Sequence, residues 1–157
     1  MLACASLESN WGQGAIYKAT LNPFSLRKWP RTPFPHTHKT YWADTVIAEG
    51  PPKVVKKAPF NCATSRSDAV LQWCEWILHY GNADGPGSLE PPGAAPRDNL
   101  KAIDNRERLL SYRHNAIDFC MYLPLVGFGE HLTAAARDKS GKEYRDRLID
   151  FGLTVYG

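Results

Sequence analysis

Prolines and glycines, 12 of each in 157 residues, gather in clusters that decide where regular structure can run. Pro23, Pro30, Pro33 and Pro35 stand in the stretch from Asn22 to Pro35. A residue that fixes φ and lacks an N–H keeps such a stretch out of a helix. A second cluster, Glu49-Gly50-Pro51-Pro52, separates TYWADTVIA from KVVKKAPF. The flanks are rich in β-branched and aromatic residues, so they read as a hairpin whose loop is wider than a two-residue turn. The third, from Asn82 to Pro96, reads as a surface excursion and not a domain boundary, because too little chain lies on either side for separate cores.

Helical signals fill the intervals. LACASLES, with Leu2, Ala3, Ala5 and Leu7 apolar, reads as a short helix broken by Gly12 and Gly14. Ser65, with Asp68 three residues on, opens a second helix, for which Val70, Leu71, Cys74, Ile77 and Leu78 form the expected apolar positions and Gly81 the stop. A long helix is expected from about Leu100 to Tyr122, with Ile103, Leu110, Ile117 and Met121 on one side. Two shorter ones, near Phe128 to Arg137 and Lys142 to Phe151, complete the core, and Gly152 caps the last. Trp73, Trp76 and Tyr80, at near-helical spacing, read as core. The expectation is one domain over residues 1–157, mainly α within an α+β class, with a helical body and one small early hairpin.

An apolar share of 43% is enough to bury a core without a metal or an obligate partner. A net charge of +3 and a pI near 8.7 suit an anionic polymer, but no basic motif or ordered Lys/Arg stripe points to nucleic acid. No segment approaches the roughly 18 apolar residues of a membrane span. The opening residues lack a basic region and Glu8 arrives early, so no signal peptide is expected. Cys4, Cys62, Cys74 and Cys120 form no CxxC pair; they read as one or two disulfides, or as buried free thiols. His36 and His38 lie in the proline-rich loop without acid or thiol partners, so neither a metal nor any other cofactor is expected. Cys74 sits on an apolar helix face, which argues against a Cys/His peptidase.

Glu8 is the residue that composition does not explain. A negative charge near a helix C-terminus meets the wrong end of the dipole. One reason to keep it there is a raised pKa, which lets a glutamic acid hold its proton near neutral pH and deliver it to a leaving oxygen.

ASLESNWGQGAIYKATLNPFSLRKWP resembles the catalytic stretch of the family 73 glycoside hydrolases, the glucosaminidases of bacterial walls, whose usual form is A-x-L-E-S-G-W-G-x-S followed by N-x-F-G-I-K. The matching residues are Leu7, Glu8, Ser9, Trp11, Gly12, Asn22, Phe24 and Leu26. PFNCATSRSDAVLQWCEWIL is similar to a later segment of the family, and Tyr144, Leu148 and Tyr156 fit its terminal pattern. The resemblance implies a lysozyme-like fold with a cleft between helical body and hairpin lobe, and cleavage of the β-1,4 glycan backbone of peptidoglycan. It makes Glu8 the general acid and places Trp11, Asn22 and Phe24 on the cleft floor, although Trp11 and Phe24 also suit a core role. The family's hairpin base has Asp44 and Glu49 as its candidates here, neither at the usual offset. Without a carboxylate, the substrate's own 2-acetamido group is the alternative. The family's G-Y-A-T-D tyrosine has no counterpart, since Ala134 to Ala136 occupy its place. Tyr41 and Trp42 on the hairpin are the expected substitutes, and Tyr144 reads as structural.

A compact chain of this kind is also similar to the glycoside hydrolase effectors of type VI secretion, which are injected into the periplasm of a target bacterium and paired with an immunity protein that blocks the cleft. Paired cysteines suit that oxidising compartment. Phage- or flagellum-associated wall hydrolases, and a peptidoglycan-binding domain that has lost turnover, are the alternatives.

Overall fold

Two antiparallel strands and the loop before them make one wall of the molecule, and helices make the rest. The computed structural model describes residues 5, 8–10, 12–28, 39–48, 54–83, 85–89, 95, 97–128, 134–150 and 152. Strand β1 (Thr40–Ala48) pairs with β2 (Val54–Asn61), bringing Tyr41 opposite Phe60, Ala43 opposite Ala58 and Thr45 opposite Lys56, with an irregularity between Val46 and Ala48. Side chains alternate across the pleat, so the face carrying Ala58 and Phe60 is the buried one. The expected hairpin is therefore present, and it has an addition that the proline-rich reading missed. Residues 26–28 run along the far side of β2: Asn61 N–H donates to the Leu26 carbonyl at 3.0 Å, Lys28 N–H to the Pro59 carbonyl at 3.0 Å, and Arg27 bridges to Phe60.

Helix α1 (Ala15–Thr20) precedes the hairpin and α2 (Arg66–Leu78) follows it. The start of α2 is fixed as expected, with the Ser65 hydroxyl accepting from Asp68 N–H at 3.1 Å while the Asp68 carboxylate accepts from Thr64 N–H at 2.6 Å. Its buried face keeps the expected Trp73, Trp76 and Ile77 but not the expected Val70, Leu71 and Leu78. Ala69, Gln72, Trp73, Trp76 and Ile77 are buried, whereas Leu71 and Leu78 are 56% and 52% exposed. The i, i+3, i+4, i+7, i+8 stripe is centred on two indole rings, whose area outweighs that of the aliphatic residues on the flank.

The expected long helix is two, α3 (Leu100–Ser111) and α4 (Ala116–Tyr122). Asn115 breaks it by capping the second piece, its side chain accepting from Asp118 N–H at 3.1 Å. In consequence Ala102, Leu109 and Cys120 are the buried positions, and Ile117 is exposed. A 3₁₀ turn (Leu123–Val126) containing Pro124 redirects the chain. From Ala134 on, the two expected terminal helices are one, α5 (Ala134–Asp150), with Gly141 inside it at the crossing with α4; residues 129–133 of the first expected helix lie outside the described residues. Gly152 takes φ +63° just beyond the helix, in the expected capping position.

Leu109, Leu123 and Val126 form the centre of the core, with Phe24, Trp73, Trp76, Phe128, Tyr144 and Leu148 around them. Cys62, Cys74 and Cys120 are free thiols, which removes any disulfide among these three; Cys4 lies outside the described residues. Burial pushes all three thiols above their ordinary pKa, the opposite of what a reactive cysteine needs. Among the described residues no helix is long and apolar enough to cross a membrane.

Candidate active site

The stretch ESNWGQG is a corner. Ala5 and Glu8 have helical backbone, and Ser9 N–H closes a helical turn on the Ala5 carbonyl at 3.0 Å. The chain then reverses, with Gln13 N–H donating to the Asn10 carbonyl at 2.9 Å and Gly14 N–H to the Ser9 carbonyl at 2.8 Å. Gly12 sits at φ +76°, a conformation that costs other residues strain, and its N–H donates to the Ser9 hydroxyl at 3.0 Å. A Cβ at Gly14 would stand 2.9 Å from the Ser9 carbonyl oxygen. The glycines therefore serve the backbone, and α1 begins immediately after them.

Asn22 ties the next segment to the sheet. Its amide nitrogen donates to the Leu26 and Asn61 carbonyls, each at 3.0 Å, and its oxygen accepts from Phe24 N–H at 3.2 Å. Ser25 is drawn toward the corner, its hydroxyl donating to the Glu8 carbonyl at 3.3 Å. By these bonds the Glu8 carbonyl is tied, through Ser25 and the 22–26 segment, to the end of β2.

The Glu8 carboxyl meets a residue 136 positions later. The Tyr144 hydroxyl, on α5, donates to Glu8 Oε1 at 2.6 Å. Tyr144 is itself buried, with its ring 6.3 Å from that of Phe128 in an edge-on arrangement. Burial pushes the Glu8 carboxyl above its usual pKa; the Tyr144 bond favours the ionised form and pulls less strongly the other way. The result is an acid that keeps its proton to higher pH than an exposed glutamate does.

This carboxyl opens into a groove of about 330 Å³. Phe24, Phe60, Trp76 and Phe128 give it flat apolar walls. Trp76 and Phe128 meet edge to face at 5.5 Å, so the aromatic side is rigid. Arg27 and Thr45 line the hairpin side, with Arg27 Nη2 donating to Thr45 Oγ1 at 3.2 Å. Among the described residues Glu8 is the one carboxylate in the lining, and no three His, Cys, Asp or Glu side chains converge as a metal set would.

The remaining expected site residues fall elsewhere. Asn22 is 1% exposed and both ends of its amide are bonded to the main chain, so it holds the loop and does not present hydrogen bonds to a substrate. Phe24 lines the floor but is almost wholly buried, with its ring 5.5 Å from that of Trp73. Asp44 is exposed and next in strand to Thr45, whose side chain lines the groove; the pleat therefore turns Asp44 to the opposite face, away from Glu8. Trp42 shares that outer face and is 60% exposed. Tyr41 lies on the groove face of the sheet but is not part of the lining. Trp11 and Glu49 lie outside the described residues.

The sequence reading passed over Tyr144, Arg27, Thr45 and Phe128 as site residues. Tyr144 was legible only as one of a buried i, i+4 pair with Leu148, which is also the signature of an ordinary core tyrosine. Comparison with known proteins adds no relative: no family model, curated protein or solved structure matches the chain.

Proposed function

We propose that the protein is a glycoside hydrolase that cleaves the β-1,4 glycan backbone of peptidoglycan as an N-acetylglucosaminidase, with Glu8 as general acid. The observation that carries this reading is the half-buried Glu8 carboxyl, held by the Tyr144 hydroxyl at 2.6 Å in an aromatic-walled groove. The resemblance around Glu8 supplies the reaction class, and the aromatic walls suit the apolar faces of pyranose rings.

In the proposed step Tyr144 occupies Oε1, which leaves the acid proton to Oε2. As the bond between the anomeric carbon and the bridging oxygen breaks, that proton passes to the departing oxygen. Glu8 becomes a carboxylate, and the Tyr144 bond, already in place, becomes charge-assisted and stronger. The described lining offers no second carboxylate, so the groove suits the substrate-assisted route. There the carbonyl oxygen of the 2-acetamido group forms a bond to the anomeric carbon. Water then opens this cyclic intermediate while Glu8 takes back a proton, with retention at the anomeric centre.

Release of new reducing ends from purified sacculi tests the reading. Wild type should release them, and Glu8→Gln should lose about 10²–10⁴-fold in rate, the ordinary contribution of a general acid. A second reading, a wall-binding domain without turnover, is favoured by the described lining, which has Glu8 as its one carboxylate; it expects sacculus binding with no reducing ends from wild type. The expected delivery into a target periplasm, with an immunity protein over the groove, drew on paired cysteines. Cys62, Cys74 and Cys120 are free, so that support is withdrawn and we confine the proposal to the chemistry of the groove.

A further inference from the structure

We propose that the glycan strand runs on from the groove past Gly127 toward a second cavity, and that the Tyr80 hydroxyl is its hydrogen-bonding contact on the way. This rests on the glycan-cleaving reading of the groove and adds a subsite beyond it.

Tyr80 stands two residues beyond α2 and is half-buried, its ring packed on that of Trp76 with centroids 5.1 Å apart. Two glycines make room for the rest of the side chain. A Cβ at Gly87 would stand 2.8 Å from Tyr80 Cζ, and one at Gly127 would stand 2.7 Å from the hydroxyl oxygen. The phenol is therefore held in a socket that a side chain at either glycine would close. Gly127 is exposed and lines the groove beside Phe128. Tyr80 does not itself line the groove; its hydroxyl lies against the backbone at the end of it.

Among the described residues that hydroxyl has no hydrogen-bond partner, and the one recorded bond of Tyr80 is accepted by its main-chain carbonyl. A phenylalanine would fill the socket equally well, and a packed tyrosine ordinarily finds a partner for its oxygen. Burial holds the phenol pKa up, so at neutral pH the group is both donor and acceptor.

The direction beyond Gly127 follows from the turn that carries it. Leu125, two residues earlier, lines a second cavity of about 350 Å³ together with Tyr122, Pro124 and Arg137. Val126, between them in the chain, is wholly buried and raises no side chain over the surface. Arg137, on α5, lies near enough to Tyr80 to draw its pKa partly back down. The hydroxyl thus stands between the end of the groove and a wall of the second cavity. A polymer held at Glu8 extends past the bond that breaks, and its next sugar presents hydroxyl and acetamido groups that a fixed phenol can meet.

The test uses the full chain carrying Glu8→Gln, so that sugars bind without turnover, and isothermal titration calorimetry with β-1,4 oligomers of N-acetylglucosamine of increasing length. Adding Tyr80→Phe should weaken the longest oligomers about three- to tenfold, the worth of one hydrogen bond, and the shortest, which do not reach the phenol, by about twofold or less. The same change should leave the melting temperature unmoved, because the hydroxyl has no partner to lose among the described residues, whereas loss of a structural hydroxyl would lower it. With Glu8 intact and sacculi as substrate, Tyr80→Phe should act mainly on KM, as loss of a contact made equally in ground and transition states does. Equal affinities with and without the hydroxyl at every length, equal weakening at every length, or a lowered melting temperature overturns the inference and leaves the proposed hydrolase untouched. If no oligomer binds while wild type releases reducing ends, an unchanged KM on sacculi overturns it and a raised KM supports it. Failure of every oligomer to bind, with no reducing ends from wild type, overturns both.

Discussion

Replacing Tyr144 by Phe deletes one oxygen and keeps the ring that packs against Phe128, so its effect isolates the 2.6 Å bond to Glu8. When Glu8 is protonated, that bond joins neutral groups and its loss costs roughly 0.5–1.5 kcal/mol; when Glu8 is ionised, the bond is to a charge and its loss costs roughly 1.5–3 kcal/mol. The destabilisation by Tyr144→Phe must therefore grow with pH. Urea unfolding at about pH 4 and about pH 8 measures both values, provided the denaturant slope is the same for the two proteins. Activity moves with the same sign. The acid form of Glu8 is the working one, so wild-type turnover is lost as pH rises through the folded-state pKa, which burial already raises. Removing the hydroxyl takes away the group that favours the ionised form, so the carboxyl titrates higher still and the alkaline limb of the pH profile shifts upward. Equal destabilisation at both pH values, or a limb that moves down, would refute the Tyr144–Glu8 coupling.

Three other outcomes follow from the same contacts. Because the folded-state pKa of Glu8 lies above its ordinary value of 4.5, wild type loses stability as pH rises through that folded value. Glu8→Gln should therefore melt higher than wild type at neutral to alkaline pH, and the difference should vanish at more acid pH, as thermal melts across the range would show. Gly141→Ala should destabilise by about 1–3 kcal/mol in chemical denaturation, although alanine is the better helix former by about 1 kcal/mol, because the new methyl runs into the Met121 carbonyl oxygen across the α4–α5 crossing. Asp44→Asn should leave the release of reducing ends within about twofold of wild type, since the strand turns that carboxylate away from the groove.

What could be seen in the sequence was whatever a single residue or its near neighbours decide. The Ser65–Asp68 start of α2 and the hairpin follow from turn and cap chemistry within a few residues, and both are in place. The Glu8 corner is likewise local, because Gly12 and Gly14 settle its shape. Where several local signals compete, the reading failed. Asn115 outweighs the apolar repeat that runs from Leu100 to Tyr122, and Gly141, between the two helices expected near 128–137 and 142–151, lies inside one helix as a contact that lets α5 approach Met121 closely. Asn22 shows the limit for function. Its amide suits a sugar hydroxyl and a backbone carbonyl equally, and only the fold, which brings Asn61 alongside, shows which partner it has. Tyr144 and Glu8 are 136 residues apart, so no spacing rule joins them; Arg27 becomes a groove residue only because segment 26–28 pairs with β2.

The identity of the sugar ends left on digested wall tests the proposed chemistry most directly. Sacculi incubated with wild type, reduced with borohydride and analysed by mass spectrometry should yield fragments that terminate in reduced N-acetylglucosamine, and Glu8→Gln should yield almost none. Fragments ending in reduced muramic acid, new peptide amines in place of sugar ends, or an undiminished yield from Glu8→Gln would contradict the assignment of Glu8 as the acid of an N-acetylglucosaminidase.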